Sequence, residues 1–268
     1  DRLFVIGCLS ERYAEELRSE IPEVDDYFGA RDFTAVVRAL TGGEGSAPAT
    51  ERMLTTPAHY AYLKISEGCN WRCAYCAIPL IRGPHVSVPE EQVLEEARRL
   101  VARGVKELIV VAQDTTYYGV DLYGERRLAP LLRRLAALPG VEWVRLHYTY
   151  PTGFPVEVME AMREESKICR YIDIPLQHIA DRQLSAMRRG ITKQGTEELI
   201  ARLRREVPGI AIRTTLLVGF PGESEADFAE LMEFVERQRF ERLGVFPYSA
   251  EEGTPSAEMA DDVPEEVK

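Results

Sequence analysis

The sequence predicts an α/β protein: a partial (βα)6 barrel of the TIM type, preceded by the remnant of a smaller N-terminal α/β domain. Three observations carry that prediction. Six short apolar runs alternate with amphipathic stretches, the pattern of parallel βαβ units. Polar motifs recur at the C-terminal ends of those runs, where barrel enzymes keep their sites, so an open or partial barrel fits better than a doubly wound sheet. The 268 residues are 45% hydrophobic and 29% charged, the composition of a folded chain and not of a disordered one.

Taken in order, residues 1–40 open on the apolar run Leu3-Phe4-Val5-Ile6, read as a strand. Glu11–Glu20 has helical character and stops at Ile21-Pro22, because the residue before a proline is pushed out of the helical region. Asp32–Leu40 reads as a second short helix, and residues 41–56, rich in Gly, Ser and Pro at their start, as a linker. Residues 57–250 carry the barrel. Its strands are expected at Ala61–Ser66, Glu107–Ala112, Trp143–Tyr148, Tyr171–Ile174, Ile210–Val218 and Leu243–Tyr248. The intervening helices are expected at Pro89–Arg103, Leu128–Leu138, Pro155–Arg163, Asp181–Arg189, Thr196–Glu206 and Ser224–Gln238. In the first of these, Val93, Leu94, Ala97, Leu100 and Val101 make one apolar stripe. Ser87 with Glu90 three residues on has the form of a capping box for that helix. Residues 251–268, rich in Glu, Asp, Pro and Ala, read as an exit linker. The chain begins with Asp1 and opens almost inside a strand, so a piece of a longer protein is expected.

Charge narrows the partners. The chain carries 33 Lys+Arg against 44 Asp+Glu, a net charge of −11, which argues against tight binding to bare nucleic acid and suits a soluble, cytoplasmic enzyme or a basic partner. No run approaches the ~20 apolar residues of a membrane span, and residues 1–9 have no basic segment followed by an apolar one, so no signal peptide is read.

Cysteine usage points to chemistry. Three of the five cysteines fall in Cys69-x-x-x-Cys73-x-x-Cys76, directly after the first barrel strand; Cys8 and Cys169 stand apart. The odd count and clustering argue against a secreted disulfide framework. Two readings remain at this point. A zinc site needs a fourth ligand, for which His85 is available. An iron–sulfur cluster held by three thiolates leaves one iron open to a ligand that is not protein.

The spacing C-x3-C-x2-C with Tyr75 before the last cysteine resembles the radical S-adenosylmethionine (SAM) superfamily. The longer segment Cys69-Asn70-x-x-Cys73-x-x-Cys76-x-Ile78-Pro79-x-x-Arg82-Gly83 is similar to that of the methylthiotransferases within it. Ile174-Pro175-Leu176-Gln177-His178, Met187-Arg188-Arg189-Gly190-Ile191-Thr192 and Val218-Gly219-Phe220-Pro221-Gly222-Glu223 match the same family. The segment Gln113-Asp114-Thr115-Thr116-Tyr117-Tyr118-Gly119 looks like the branch that modifies small-subunit ribosomal protein S-twelve (the RimO type) and not the tRNA branch (the MiaB type).

The resemblance implies a [4Fe–4S] cluster on Cys69, Cys73 and Cys76, SAM as cofactor, and transfer of a methylthio group to the β-carbon of an aspartate in that ribosomal protein. It implies an electron donor such as flavodoxin or ferredoxin. It also implies a second [4Fe–4S] cluster in the intact protein with Cys8 as one ligand, residues 1–40 being the end of an N-terminal domain, and a C-terminal TRAM domain after residue 268. The alternatives are the same chemistry on tRNA adenosine, and a zinc- or iron–sulfur-stabilised binding module.

For SAM the expected contacts are Tyr75 near the adenine, Gln113 and Asp114 toward the ammonium, Gln177 toward the ribose, Arg189 or Arg213 toward the carboxylate, and Phe246 and Tyr248 packed on the adenine. Trp71 is placed beside the cluster as a shield from water. Each has a plain structural alternative: turn chemistry for Asp114, a loop anchor for Gln177, packed stems for the arginines, and barrel core for the two aromatics. Cys169 reads as packed core, and His59, His85, His147 and His178 as structural histidines.

Overall fold

A computed structural model describes residues 2–43 and 52–268 of the chain. It opens with β1 (Phe4–Ile6), α1 (Cys8–Arg12), α2 (Ala14–Glu20), β2 (Asp26–Phe28) and α3 (Phe33–Thr41), with β1 and β2 paired in parallel. The helix expected over Glu11–Glu20 is two helices: Tyr13, at φ −125°, breaks the turn between them, and the first already begins at Cys8. Half of the linker expected at 41–56, residues 44–51, lies outside the described residues.

The barrel begins with β3 (Tyr60–Lys64). A short antiparallel hairpin, β4 (Ser66–Glu67) with β5 (Val86–Ser87), follows and holds α4 (Ile78–Arg82) within its loop. Then come α5 (Glu90–Ala102), β6 (Glu107–Val111), α6 (Val120–Tyr123), α7 (Leu128–Ala136), β7 (Trp143–Leu146), α8 (Val156–Glu164), β8 (Tyr171–Asp173), α9 (Asp181–Ala186), α10 (Lys193–Glu206), β9 (Ala211–Val218), α11 (Glu225–Gln238) and β10 (Arg242–Pro247).

Parallel pairing runs β3–β6–β7 and β8–β9–β10. A bridge between Val144 and Ile168, with Cys169 N–H on Val144 O at 2.9 Å, joins the two halves. The six strands thus follow one another in chain order, and β3 and β10 are not paired. This is a partial TIM-like barrel, open between its first and last strands.

The apolar periodicity explains the packing. Alternate residues Ala61, Leu63, Leu108, Val110, Val144, Leu146, Ile172, Ile212 and Leu216 point outward into one core against Val93, Leu94, Ala97, Leu100, Leu131, Leu132, Leu135, Val158, Met162 and Leu203 of the helices. The other face of the sheet carries Lys64, Glu107, Arg145, Tyr171 and Arg213 in place of the aliphatic layers that fill a closed (βα)8 barrel. An open barrel admits water to that face, so polar side chains line it.

The helix starts show which local signals the chain uses. Ser224 caps α11 in a reciprocal box with Asp227, and Thr192 caps α10 by accepting from Gly195 N–H at 3.1 Å. Ser87 does not cap α5. Pro89 occupies the N-cap position, and Ser87 lies in β5 with its N–H and hydroxyl both given to Asp121, at 2.8 and 2.6 Å. Residues 251–268, whose composition reads as a linker, pack back onto the barrel. Thr254 and Ser256 are buried, Ser256 N–H donates to Ala74 O at 2.9 Å, and Lys268 lies over the Tyr248 ring.

Candidate active site

The three clustered cysteines sit on the loop between β4 and α4, at the C-terminal end of the first barrel strand. Gly68 makes that loop possible. It has φ +79°, and a Cβ there would lie 2.1 Å from Pro84 O, so no other residue fits the turn. The loop is then pinned at both ends: Cys69 N–H donates to Gly83 O at 3.1 Å, and Ala74 N–H donates to Met187 O at 3.0 Å.

Cys73 is buried, and Cys69 and Cys76 are half-buried. Burial pushes the Cys69 thiol up to about 12, a backbone N–H at Trp71 opposing it and the nearby Asp114 adding to it. Burial raises the Cys76 thiol as well. The Cys69 and Cys76 sulfurs are therefore protonated until something replaces the proton, which is what a metal does.

Beneath the loop lies Arg189, 3% exposed. Its guanidinium donates to Cys73 Sγ at 3.3 Å, to Tyr75 Oη at 3.2 Å and to Pro175 O at 2.6 Å, and it stacks over the Tyr150 ring at 4.3 Å. Tyr150 in turn stacks on Trp71 with ring centroids 3.9 Å apart, and its hydroxyl lies 3.4 Å from Cys73 Sγ. Burial holds both the Tyr75 and Tyr150 phenols protonated. Burial works against the Arg189 charge, but the guanidinium donates to the lone pairs of Cys73 Sγ and Tyr75 Oη and lies on the Tyr150 ring, and its pKa stays raised, so this arginine stays a cation.

The residues expected to touch SAM separate by what their polar atoms already do. Asp114, 1% exposed, accepts from Trp71 Nε1 at 2.7 Å, Thr116 N–H at 2.8 Å and Thr116 Oγ1 at 2.6 Å. Three of the roughly four acceptor positions of a carboxylate are thus taken within the chain, and its evident task is to hold Trp71. Gln113 donates to Glu67 at 2.8 Å, while its buried Oε1 has no partner. A buried acceptor left open costs about 1–3 kcal/mol, so this atom asks for a donor, and among the residues expected at SAM the buried Tyr248 hydroxyl is likewise without a partner.

Gln177 takes φ +74° four residues past β8 and is fixed by two backbone bonds to β9, Gln177 N–H to Thr215 O and Leu217 N–H to Gln177 O. Arg213 projects into the barrel interior, 3.6 Å from the buried Asp173, which raises its pKa. Tyr248 is 2% exposed and packs edge-on against Phe220, 5.3 Å away, in a small cluster with Ala74 and Met187. Phe246 lies 58% exposed on the inner face of β10.

Cys8 is exposed at the start of α1, and its sulfur accepts from Arg82 Nη2 at 3.3 Å. Arg82 also reaches Glu67 at 3.6 Å, and Glu67 binds Lys64 and Gln113. A polar chain therefore connects Cys8 to the Gln113 side of the cysteine loop. Tyr150 and Glu67 were not singled out from the sequence. The signal for Tyr150 was present, an aromatic just past the third strand, but its partners Trp71 and Arg189 are remote in sequence. His178 donates from Nε2 to Glu223 at 2.8 Å and accepts Ala180 N–H on Nδ1 at 3.0 Å, a fully used structural imidazole.

A family profile described as the Radical SAM superfamily matches residues 63–235. The chain belongs to that superfamily. Solved radical SAM proteins share its fold. The methyltransferase TsrM of Kitasatospora setae, whose structure holds cobalamin and a [4Fe–4S] cluster, superimposes with a TM-score of 0.60 at 22% identity over 74% of this chain and 38% of its own. The cobalamin-dependent enzyme OxsB, solved with SAM bound, gives 0.65 at 13% identity over 95% and 41%.

Two curated relatives are much nearer in sequence. Both are named ribosomal protein uS12 methylthiotransferase RimO, one from Flavobacterium johnsoniae at 56% identity and one from Christiangramia forsetii at 54%. Each matches all of this chain, with 61% and 60% of the relative covered. The chain therefore spans about three fifths of the length of the curated relatives it matches.

Three cysteines on one loop are a donor set that fits a [4Fe–4S] cluster with one open iron, while one zinc ion would need a fourth ligand. His85 is turned to Ser87 Oγ at 3.2 Å. Among the described residues no helix is long and apolar enough to cross a membrane.

Proposed function

We propose that this chain is the core of a radical-SAM methylthiotransferase of the RimO type, which adds a methylthio group to the β-carbon of an aspartate in ribosomal protein uS12. The observation that carries the reading is 56% identity over all 268 residues to a protein of that name. The cysteine loop at the C-terminal end of β3 supports it.

In this reading Cys69, Cys73 and Cys76 hold a [4Fe–4S] cluster. Such a cluster, with SAM and one electron, would supply the radical chemistry that removes hydrogen from an unactivated carbon. The chain's own residues bind and orient. Gln113 Oε1, buried without a partner, would accept a hydrogen bond from the SAM ammonium. Asp114 keeps Trp71 against Tyr150, a double layer of rings that excludes water from the buried side of the loop. Arg213 offers a cation for the SAM carboxylate and Gln177 an amide for the ribose. Tyr75, Tyr248 and Phe246 offer ring faces for the adenine. The barrel holds the target carbon close to the reacting carbon of SAM, where orientation replaces the entropy of encounter.

A second cluster in the intact protein takes Cys8 as one ligand and further ligands from outside these residues. The donor of the electron is a flavodoxin- or ferredoxin-type protein, and a ribosomal substrate places the enzyme in the cytoplasm. Residues 1–40 belong with the domain of that second cluster, 57–250 form the radical SAM core, and 251–268 lead toward a TRAM domain. The net charge of −11 suits a basic ribosomal protein. Mass spectrometry of uS12 and of tRNA from a deletion strain tests the substrate. The reading expects uS12 to lose its methylthio mass while tRNA keeps its own; the reverse result assigns the chain to the tRNA branch.

A further inference from the structure

Resting on the proposed cluster ligation, we infer that Arg189 is a positioning and redox-tuning residue for the cluster, donating a charge-assisted hydrogen bond to the Cys73 sulfur, and not a ligand of the SAM carboxylate. The geometry leaves little else for it to do. The guanidinium is 3% exposed, and its two terminal nitrogens are spent on Cys73 Sγ at 3.3 Å, Tyr75 Oη at 3.2 Å and Pro175 O at 2.6 Å. One face is covered by the Tyr150 ring, 4.3 Å away. Among the described residues no carboxylate pairs with this cation, and the group it meets that becomes an anion on binding iron is the Cys73 sulfur. Nε is buried with no partner.

Burying a guanidinium without a counter-charge is expensive. A thiolate of an iron–sulfur cluster is the counter-charge that resolves the cost. The consequence is electrostatic. A cluster on three thiolates gains one negative charge on reduction, and a fixed cation at hydrogen-bond distance in a low-dielectric pocket favours that reduced form. The segment Met187–Gly190 is built to place it: Arg188 takes φ +57° and Gly190 φ +66°, while Tyr150 Oη and Thr152 Oγ1 both donate to Arg189 O, at 3.2 and 2.9 Å.

The test is a potentiometric titration of the anaerobically reconstituted protein, followed by electron paramagnetic resonance without SAM. Arg189→Gln is expected to lower the midpoint so that the reduction equilibrium falls at least tenfold, about 59 mV for one electron. Arg189→Lys, which keeps the charge, is expected to recover most of the difference. A second measurement uses the unchanged protein grown with 15N-arginine. The reduced cluster is expected to show a 15N hyperfine coupling, and this stands even where the variants fail to load iron. A loaded wild-type cluster with no such coupling, or a loaded Arg189→Gln protein with less than a twofold change in the equilibrium, overturns the inference alone. A wild-type protein that takes up no four-iron cluster overturns the ligation reading beneath it as well.

Discussion

At the scale of residues, the site divides between groups already satisfied within the chain and groups left open. Asp114 belongs to the first kind and Gln113 to the second, although they are neighbours on one loop. Replacing Gln113 with Ala is therefore expected to weaken SAM binding about tenfold, the worth of roughly one hydrogen bond to a charged group, in anaerobic calorimetry; unchanged affinity would show that Oε1 faces no ligand.

The cysteines carry a pH signature. Cys69 stays protonated in the folded metal-free chain up to about 12, against an ordinary value of 9.0. Between those values the unfolded chain loses the proton and the folded one does not. Stability gained from the raised value is thus present below 9 and lost as pH rises above it. Metal-free protein is expected to melt at falling temperature above pH 9, and cluster-loaded protein, whose thiols are already deprotonated, to lose less.

At the scale of elements, capping and turn chemistry decide where the site residues land. Ser224→Ala removes the N-cap of α11 and is expected to cost about 1 kcal/mol, a drop of about 2–4 °C in Tm for a chain of this size, read by calorimetry. Its partner Asp227 works against burial: hydrogen bonds from Ser224 and Arg182 hold its carboxyl down to about 2 from 3.8. That contribution is present above pH 3.8 and fades as pH falls toward 2.

Gly68 sets the cysteine loop itself. Gly68→Ala places a methyl 2.1 Å from Pro84 O at φ +79°, and is expected to abolish iron loading while leaving the helical circular dichroism of the barrel intact. Normal iron content in that variant would contradict the loop's dependence on this turn.

At the scale of the whole molecule, the legible part was the part governed by period. Alternating apolar residues marked the first five barrel strands, because each of those buries one face against helices; β10 was marked by the same apolar character although it stays exposed along most of its length. The cysteine spacing marked the loop, because three thiolates within eight residues have few other uses. What escaped was set by contacts between remote residues. The Arg189–Cys73–Tyr150 arrangement joins positions 116 apart in sequence, and no local signal tells a buried arginine from a surface one. Ser87 was misplaced because its hydroxyl answers to Asp121, 34 residues on, and not to the helix that follows it. The tail from residue 251 looked like a linker by composition and packs by virtue of a few residues, Thr254, Ser256 and Lys268.

The central claim is that Cys69, Cys73 and Cys76 hold a cluster that cleaves SAM. It is tested most directly by incubating the anaerobically reconstituted 268-residue chain with SAM and dithionite and measuring 5′-deoxyadenosine. The account predicts a brown protein that forms 5′-deoxyadenosine and methionine in equal amounts, and a Cys73→Ala variant that forms none. A colourless protein carrying stoichiometric zinc and forming no 5′-deoxyadenosine would contradict it.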